Sequence, residues 1–369
     1  MRRKQPLLFF ILGAAMCFFV FLNLPFFFDL DTIVNSLRYF EAYKYENVDY
    51  EDPYPNSKQE VEESFVAREL KQNVRILCWI MSGPGNTKKA MAVNATWAPR
   101  CNKYFFVTAG NGLPSVDLNV SAGRDHLWEK THRAFKYLYE TELNNYDWFL
   151  KADDDTFVIM ENLRFMLLAY SPDDPIYFGC KLKPQVRHGY MSGGAGYVLS
   201  REALKRYVED AQNNTKKCRP NFSKDEDVYI GKCLESVHVV AGDSRDIHGN
   251  HRMLPLEPAL HFDLDETKKS DHLKWFHSNI FYPYDRFKEP LSEYVISFHY
   301  IGNGQMIALY NQFYNMRVFG ISDGLERLEK PEKGEKLIDT LRLLSQNTSR
   351  SFDDMIDERV RTQLAGRSG

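Results

Sequence analysis

The chain opens with one long apolar block and then breaks into shorter apolar runs separated by polar ones, and the period of each run names the element it forms. Leu7 to Phe28 is almost continuously apolar, interrupted mainly by Asn23 and Pro25. That is about twenty residues, the length a helix needs to cross a bilayer. Arg2, Arg3 and Lys4 precede it and set residues 1–6 on the cytoplasmic side. A cleaved signal peptide is the competing reading, but its apolar core runs about 7 to 15 residues and ends at small side chains. Here the run ends in PFFFDLD, so the expectation is a retained anchor over residues 7–28.

Residues 29–72 are rich in Asp, Glu, Tyr, Asn and Lys without a sustained apolar period, which predicts a stem with one helix near Lys58 to Leu70. From Asn73 the pattern changes. VRILCWIMSG predicts a buried strand ending in glycine, NTKKAMAVNATWA a helix and KYFFVTAG a second strand. RDHLWEKTHRAFKYLYETEL places Leu127, Trp128, Ala134, Phe135, Leu138 and Tyr139 near helical spacing. DWFLKA predicts a third strand, MENLRFMLLAY a helix and PIYFGC a fourth strand. Strands alternating with helices predict an α/β domain with a largely parallel, doubly wound sheet over residues 73–320. Within it GYMSGGAGYVLS reads as a glycine-dense connection, followed by helices at REALKRYVEDA and EDVYIGKCLESV. The segment after Ala241 reads as rich in loops. Residues 321–369 read as a polar tail with one amphipathic helix near Leu337 to Leu344.

Composition narrows the class. Of 369 residues, 44% are hydrophobic and 14% aromatic, enough for a sizeable core and too many for a disordered chain. The net charge of −3 offers no basic surplus, so nucleic acid is not an expected partner. Sequons begin at Asn94, Asn119, Asn213, Asn221 and Asn347, which agrees with a chain whose bulk lies on the lumenal side of the anchor. Cys17 lies in the anchor, leaving Cys78, Cys101, Cys180, Cys218 and Cys233 for an oxidising compartment. Sequence alone does not fix connectivity. The expected pairs are Cys78 with Cys101, on neighbouring early elements, and Cys218 with Cys233, closing a short loop, with Cys180 a buried thiol.

The candidate chemistry centres on FLKADDDTFV, where a buried strand ends in three consecutive carboxylates. Hard divalent cations take oxygen ligands, and one or two carboxylates leave positions for substrate phosphates and water. Asp153 and Asp155, flanking Asp154, are the candidate ligands. They stand at the carboxyl end of a strand, where α/β sheets bind ligands. A solvated acidic turn or helix cap is the competing reading. No GxxxxGK[ST] loop and no CxxC pair occurs.

In their order along the chain, ILCWIMSGP, ATWAPRCNK, DWFLKADDDTFVIMENLR, PIYFG, GYMSGGAGYVLSREALKR, AGDSRD and SFHY resemble the core 1 β1,3-galactosyltransferases, the glycoprotein-N-acetylgalactosamine 3-β-galactosyltransferases of animals. The resemblance runs from Asn73 to about Phe319. It implies a GT-A fold behind a type II anchor in the Golgi membrane, a UDP-galactose donor, Mn²⁺, and inverting transfer to O3 of GalNAc on Ser or Thr of a glycoprotein. It further implies that Asp153, Asp155 and His299 of SFHY hold the metal. An imidazole beside carboxylates leans towards manganese over magnesium.

The same resemblance makes Asp227 of KDEDVYIG the general base, with Glu226 supporting the acceptor. Early helix residues stabilised by the macrodipole are the competing reading of that pair. Lys151, Asp153, Asp154, Gly193 and Gly194 are the expected donor contacts, and Glu226, Trp275 and Tyr300 the expected acceptor contacts. Glycines at MSGGAG let backbone approach a ligand, although a plain turn before a helix has the same composition. Trp275 fits equally as a stacking platform or a core residue. Two departures stand out. The adjacent cysteine pair usual shortly before SFHY is missing from FKEPLSEYVISFHY, and Cys180 stands where a basic or other residue is expected. Both point to a divergent member. A different donor or acceptor sugar, or a non-catalytic chaperone-like relative, are the alternatives, and the intact acidic triplet speaks against the last. Homodimer formation is left open.

Overall fold

The computed structural model describes residues 65–107, 112–183, 185–219, 225–262, 270–282, 284, 291–316 and 336–356. The expected anchor over 7–28 and most of the stem lie outside these residues. Among the described residues no helix is long and apolar enough to cross a membrane.

Alternation along the buried strands builds the core. In β1 (Ile76–Met81), Ile76, Cys78 and Ile80 enter one apolar cluster while Leu77, Trp79 and Met81 enter another, one on each face of the sheet. The other strands are β2 (Lys103–Val107), β3 (Ser115–Val116), β4 (Trp148–Asp153), β6 (Ile176–Gly179), β9 (Tyr197–Ser200) and β10 (Val240–Ala241). They form one sheet in the order β10-β6-β9-β4-β1-β2-β3. Two short pairs lie outside it: β5 (Phe157–Val158) with β11 (Ser297–Phe298), and β7 (Lys181–Leu182) with β8 (Tyr190–Met191).

The first cluster packs residues of α1 (Phe65–Asn73), α2 (Thr87–Asn94) and α4 (Met160–Leu167) against one face. The second packs α3 (Leu127–Glu142), α5 (Arg201–Arg206) and α6 (Glu226–Ser236) against the other. Helices on both faces agree with the doubly wound expectation. The sheet itself is mixed, because β9 runs antiparallel to both β4 and β6. This corrects the reading of GYMSGGAGYVLS as a connection. Its glycines hide two strands, and the chain reverses in a tight turn where Gly196 donates to the Gly193 carbonyl. Gly196 has φ +77°, and a Cβ there would sit 3.1 Å from the Lys151 carbonyl of the neighbouring strand, so glycine is required.

One further difference concerns the second half. Between α7 (Pro258–Phe262) and β11, the segment read as loop-rich contains α8 (Asp271–Asn279), capped by the Ser270 hydroxyl accepting from the Leu273 amide. After α9 (Asn303–Tyr310), the amphipathic helix expected near Leu337 to Leu344 is α10 (Leu337–Thr348), which buries Ile338 and Leu341 in the first cluster. Disulfides join Cys78 to Cys101 and Cys218 to Cys233. Cys180 is a buried free thiol whose pKa burial pushes up.

Trp79 is fully buried, meets Phe135 edge-on with ring centroids 5.5 Å apart, and its indole N–H has no acceptor among the described residues. Trp79→Ala is expected to cost about 3 to 5 kcal/mol, as for other large-to-small core changes. Trp79→Phe, which removes the unpaired donor, is expected to cost less than half of that. Denaturant unfolding of both variants checks the difference.

Candidate active site

At the carboxyl end of β4 three adjacent carboxylates survive because each faces a different partner. Asp153 Oδ1 accepts from Lys151 Nζ at 2.6 Å. Asp154 turns towards β1, accepting from the Ser82 hydroxyl at 2.7 Å while its amide donates to the Met81 carbonyl. Asp155 Oδ2 pairs with Lys89 Nζ of α2 at 2.8 Å, and its Oδ1 lies 3.1 Å from His299 Nε2. Burial pushes Asp154 up to about 6, and its two acidic neighbours add to the rise. Burial also opposes ionisation of Asp155, but the contacts with His299 and Lys89 outweigh it and hold that carboxyl well below its usual range.

His299 reaches this cluster from a distant part of the chain through short backbone bonds. β5 follows the acidic triplet directly and pairs with β11, matching Phe157 to Phe298 and Val158 to Ser297. The Ile301 amide then donates to the Asp155 carbonyl at 2.9 Å. His299 Nδ1 is 3.3 Å from the Pro255 carbonyl. A proton held at Nδ1 would leave Nε2 free to join Asp153 and Asp155 around a metal. Ligand atoms of the three residues lie within 4.8 Å of one another. Two carboxylates and an imidazole nitrogen converging this closely form a donor set that fits a divalent metal.

Across the same cavity stands the first turn of α6. The Asp227 carboxylate accepts from the Gly193 amide at 3.1 Å and from the Val228 amide at 2.9 Å. Burial, and secondarily the adjacent Glu226, push Asp227 up to about 6. Glu226 is buried, with Oε2 accepting from Thr131 and Tyr197 hydroxyls at 3.1 and 3.0 Å. The cavity measures about 580 Å³. Lys151, Asp153, Asp154, Asp155, Gly193, Gly194, Glu226, Asp227, Trp275, His299 and Tyr300 all line it, so the structure gathers every site residue named from the sequence apart from the cysteines.

Gly193 and Gly194 sit where the two halves of the site meet. A Cβ on Gly194 would fall 2.2 Å from His299 Cε1, and one on Gly193 would fall 2.6 Å from Glu226 Oε1. Trp275, on α8, is 44% exposed and Tyr300 48%, so both present apolar ring surface at the cavity rather than filling the core. Tyr300 holds φ at +59°, a strained value for a bulky residue, with its ring 4.0 Å from that of His299.

Residues 92–280 match the family described as Fringe-like. The chain belongs to that family. It is 44% identical over 262 residues to the glycoprotein-N-acetylgalactosamine 3-beta-galactosyltransferase 1 of Xenopus laevis, covering 70% of this chain and 71% of that protein. A beta-1,3-glucosyltransferase of Mus musculus is 29% identical over 162 residues, 42% of this chain and 32% of its own. The human chondroitin sulfate synthase 3 is 28% identical over 167 residues, 40% of this chain and 18% of its own. The Fringe-like match takes in the acidic triplet, the glycine turn, the Glu226–Asp227 pair and Trp275, and ends before His299.

Three cations at the cavity escaped the sequence reading. Lys89 sits in an unremarkable polar stretch of α2. Arg124 precedes α3 with no pattern to single it out. Lys130 did leave a signal: it lies on the apolar side of α3, three residues after Leu127 and four before Ala134. It is 2% exposed, 3.5 Å from the Ser82 carbonyl, and burial lowers its pKa.

Gly194→Ala is expected to displace the His299 ring and to weaken any divalent-metal binding at Asp153, Asp155 and His299 at least about tenfold by calorimetry, the size of effect seen when a ligand's orientation is lost. Gly304→Ala, where an added Cβ meets nothing within 4 Å, serves as the control and is expected to match the wild type in the same titration.

Proposed function

We propose that this chain transfers galactose from UDP-galactose to O3 of GalNAc on Ser or Thr of glycoproteins, with inversion, forming the core 1 O-glycan. The observation that carries the proposal is a base-side carboxylate and a convergent Asp, Asp and His set facing one cavity, in a chain with 44% identity to a 3-beta-galactosyltransferase. Asp153, Asp155 and His299 would hold the metal, with Mn²⁺ the ion their mixed donor set favours. Bound there, it supplies positive charge that stabilises the departing diphosphate. The domain is a GT-A fold on this reading, the mixed α/β sheet with its ligand cavity at the strand ends being consistent with it. Residues 7–28 anchor the enzyme in the Golgi membrane with the domain lumenal.

The chain's own residues divide the work. Asp227 is ionised above about pH 6 and takes the proton of the acceptor hydroxyl as that oxygen attacks the anomeric carbon. Its two backbone donors fix the carboxylate so that the attack comes from a defined side. Gly193 and Gly194 line the cavity, and their missing side chains leave room for Glu226 and the His299 ring against the backbone. Lys89, Arg124 and Lys130 add positive potential where UDP carries its negative charge. Trp275 and Tyr300 offer ring faces to the acceptor sugar at the open side of the cavity.

Asp155→Ala is expected to leave a folded protein that no longer transfers galactose, and unimpaired transfer would refute the metal assignment. Asp227→Asn is expected to lower kcat by about 10² to 10⁴ without weakening UDP binding, as befits a general base. In the wild-type chain kcat should fall about tenfold per unit as pH drops below about 6, because protonated Asp227 cannot accept a proton. That limb should vanish in Asp227→Asn. A panel of UDP-sugars tests the donor, and preference for UDP-glucose or UDP-GlcNAc over UDP-galactose would overturn the galactosyl reading.

A further inference from the structure

Lys151 is 1% exposed, yet it points its ammonium into the site rather than at solvent. An ammonium has three hydrogens to donate. Three acceptors surround it: Asp153 Oδ1 at 2.6 Å, the Gly193 carbonyl at 3.1 Å and Glu226 Oε1 at 3.1 Å. Two hydrogen bonds, to Asp153 and Gly193, and an ion pair with Glu226 thus commit the ammonium to protein groups. Each acceptor leads to a different part of the site. Asp153 keeps Oδ2 for the metal side, 3.8 Å from His299 Nε2. Glu226 opens α6 immediately before Asp227. Gly193 receives Lys151 on its carbonyl and gives its amide to Asp227.

We propose that Lys151 is a positioning residue that joins the metal-side carboxylate Asp153 to the base-side pair Glu226 and Asp227, so that the two halves of the reaction centre hold one fixed separation. This rests on the transferase reading and departs from the donor contact expected of Lys151 from sequence. Removing the cation leaves the partly buried Asp153 and the buried Glu226 without their shared partner. Glu226 then loses its link to β4, and the first turn of α6 is free to shift.

The charge around Asp227 supplies a readout that simple loosening would not. Glu226 on its own helix and Lys151 on β4 are the charged groups acting on it from within, with Asp225 at the exposed start of the helix. Tyr177 on β6, Tyr190 on β8 and Tyr197 on β9 also face it, but burial raises all three phenols, so they stay neutral across the working range. Loss of Lys151 therefore removes a positive charge near Asp227 and leaves a negative one, which raises its pKa.

The full-length chain carrying Lys151→Met tests this against wild type. The expected results are a kcat at pH 7 at least about tenfold lower, an acid limb of kcat moved up by about one pH unit, and a KM for UDP-galactose within about threefold. The Lys151→Met/Glu226→Gln chain, which loses one charge of each sign, is expected to bring the acid limb back towards its wild-type position. A raised KM with unchanged kcat and an unmoved limb in Lys151→Met would make Lys151 a donor contact and overturn the proposal. If Lys151→Met does not fold, the double variant is expected to fold with a wild-type KM, and its failure to fold would also overturn the charge link. A wild-type chain inactive with every UDP-sugar would instead overturn the transferase reading, so the two failures are distinct.

Discussion

Like charges crowded at the end of a buried strand are the constraint on which this site depends. Three carboxylates in sequence repel one another, and desolvating them adds several kcal/mol per ion unless opposite charge stands close by. The fold meets this by fanning the triplet. Asp153 turns to Lys151, Asp154 to Ser82, and Asp155 to His299 and Lys89. Only the first and third then share a neighbour in His299, and the space between them suits a divalent cation.

The scaffold exists to hold that fan and the base opposite it. β4 is flanked by parallel β1 on one side and antiparallel β9 on the other, so the turn leading into β9 returns to the carboxyl end of β4. Gly193 and Gly194 occupy that turn, in contact distance of Glu226 on one side and His299 on the other. β5 leaves the triplet and meets β11, whose next residue is His299. The acidic triplet, Gly193 and His299 thus lie within two residues of a strand end, while Glu226 and Asp227 open α6 across the cavity. Reacting groups held that rigidly need little reorganisation, which is where most electrostatic catalysis comes from.

Much of this was legible in the sequence because the signals were local. The continuous apolar runs of β1, β4 and β6, the helical period of α3 and the carboxylates closing DWFLKADDD each report their own element. The cysteine pairs followed from the order of elements and a short loop. What escaped depended on distant neighbours. β9 was masked by glycines needed for the turn before it. β5 and β11 hold two residues each, too few to show a period. His299 is one histidine of ten, and only the family resemblance singled it out. Lys130 shows that a lysine on the apolar side of a predicted helix is itself a signal of a site.

The central claim is that Asp153, Asp155 and His299 share one manganese ion beside the nucleotide-sugar diphosphate. Anomalous diffraction from crystals of the chain grown with Mn²⁺ and UDP tests it most directly. The account predicts one manganese peak lying between the two carboxylates and His299 Nε2 and touching the diphosphate. A peak elsewhere, or UDP bound in the cavity with no peak among those three residues, would contradict it.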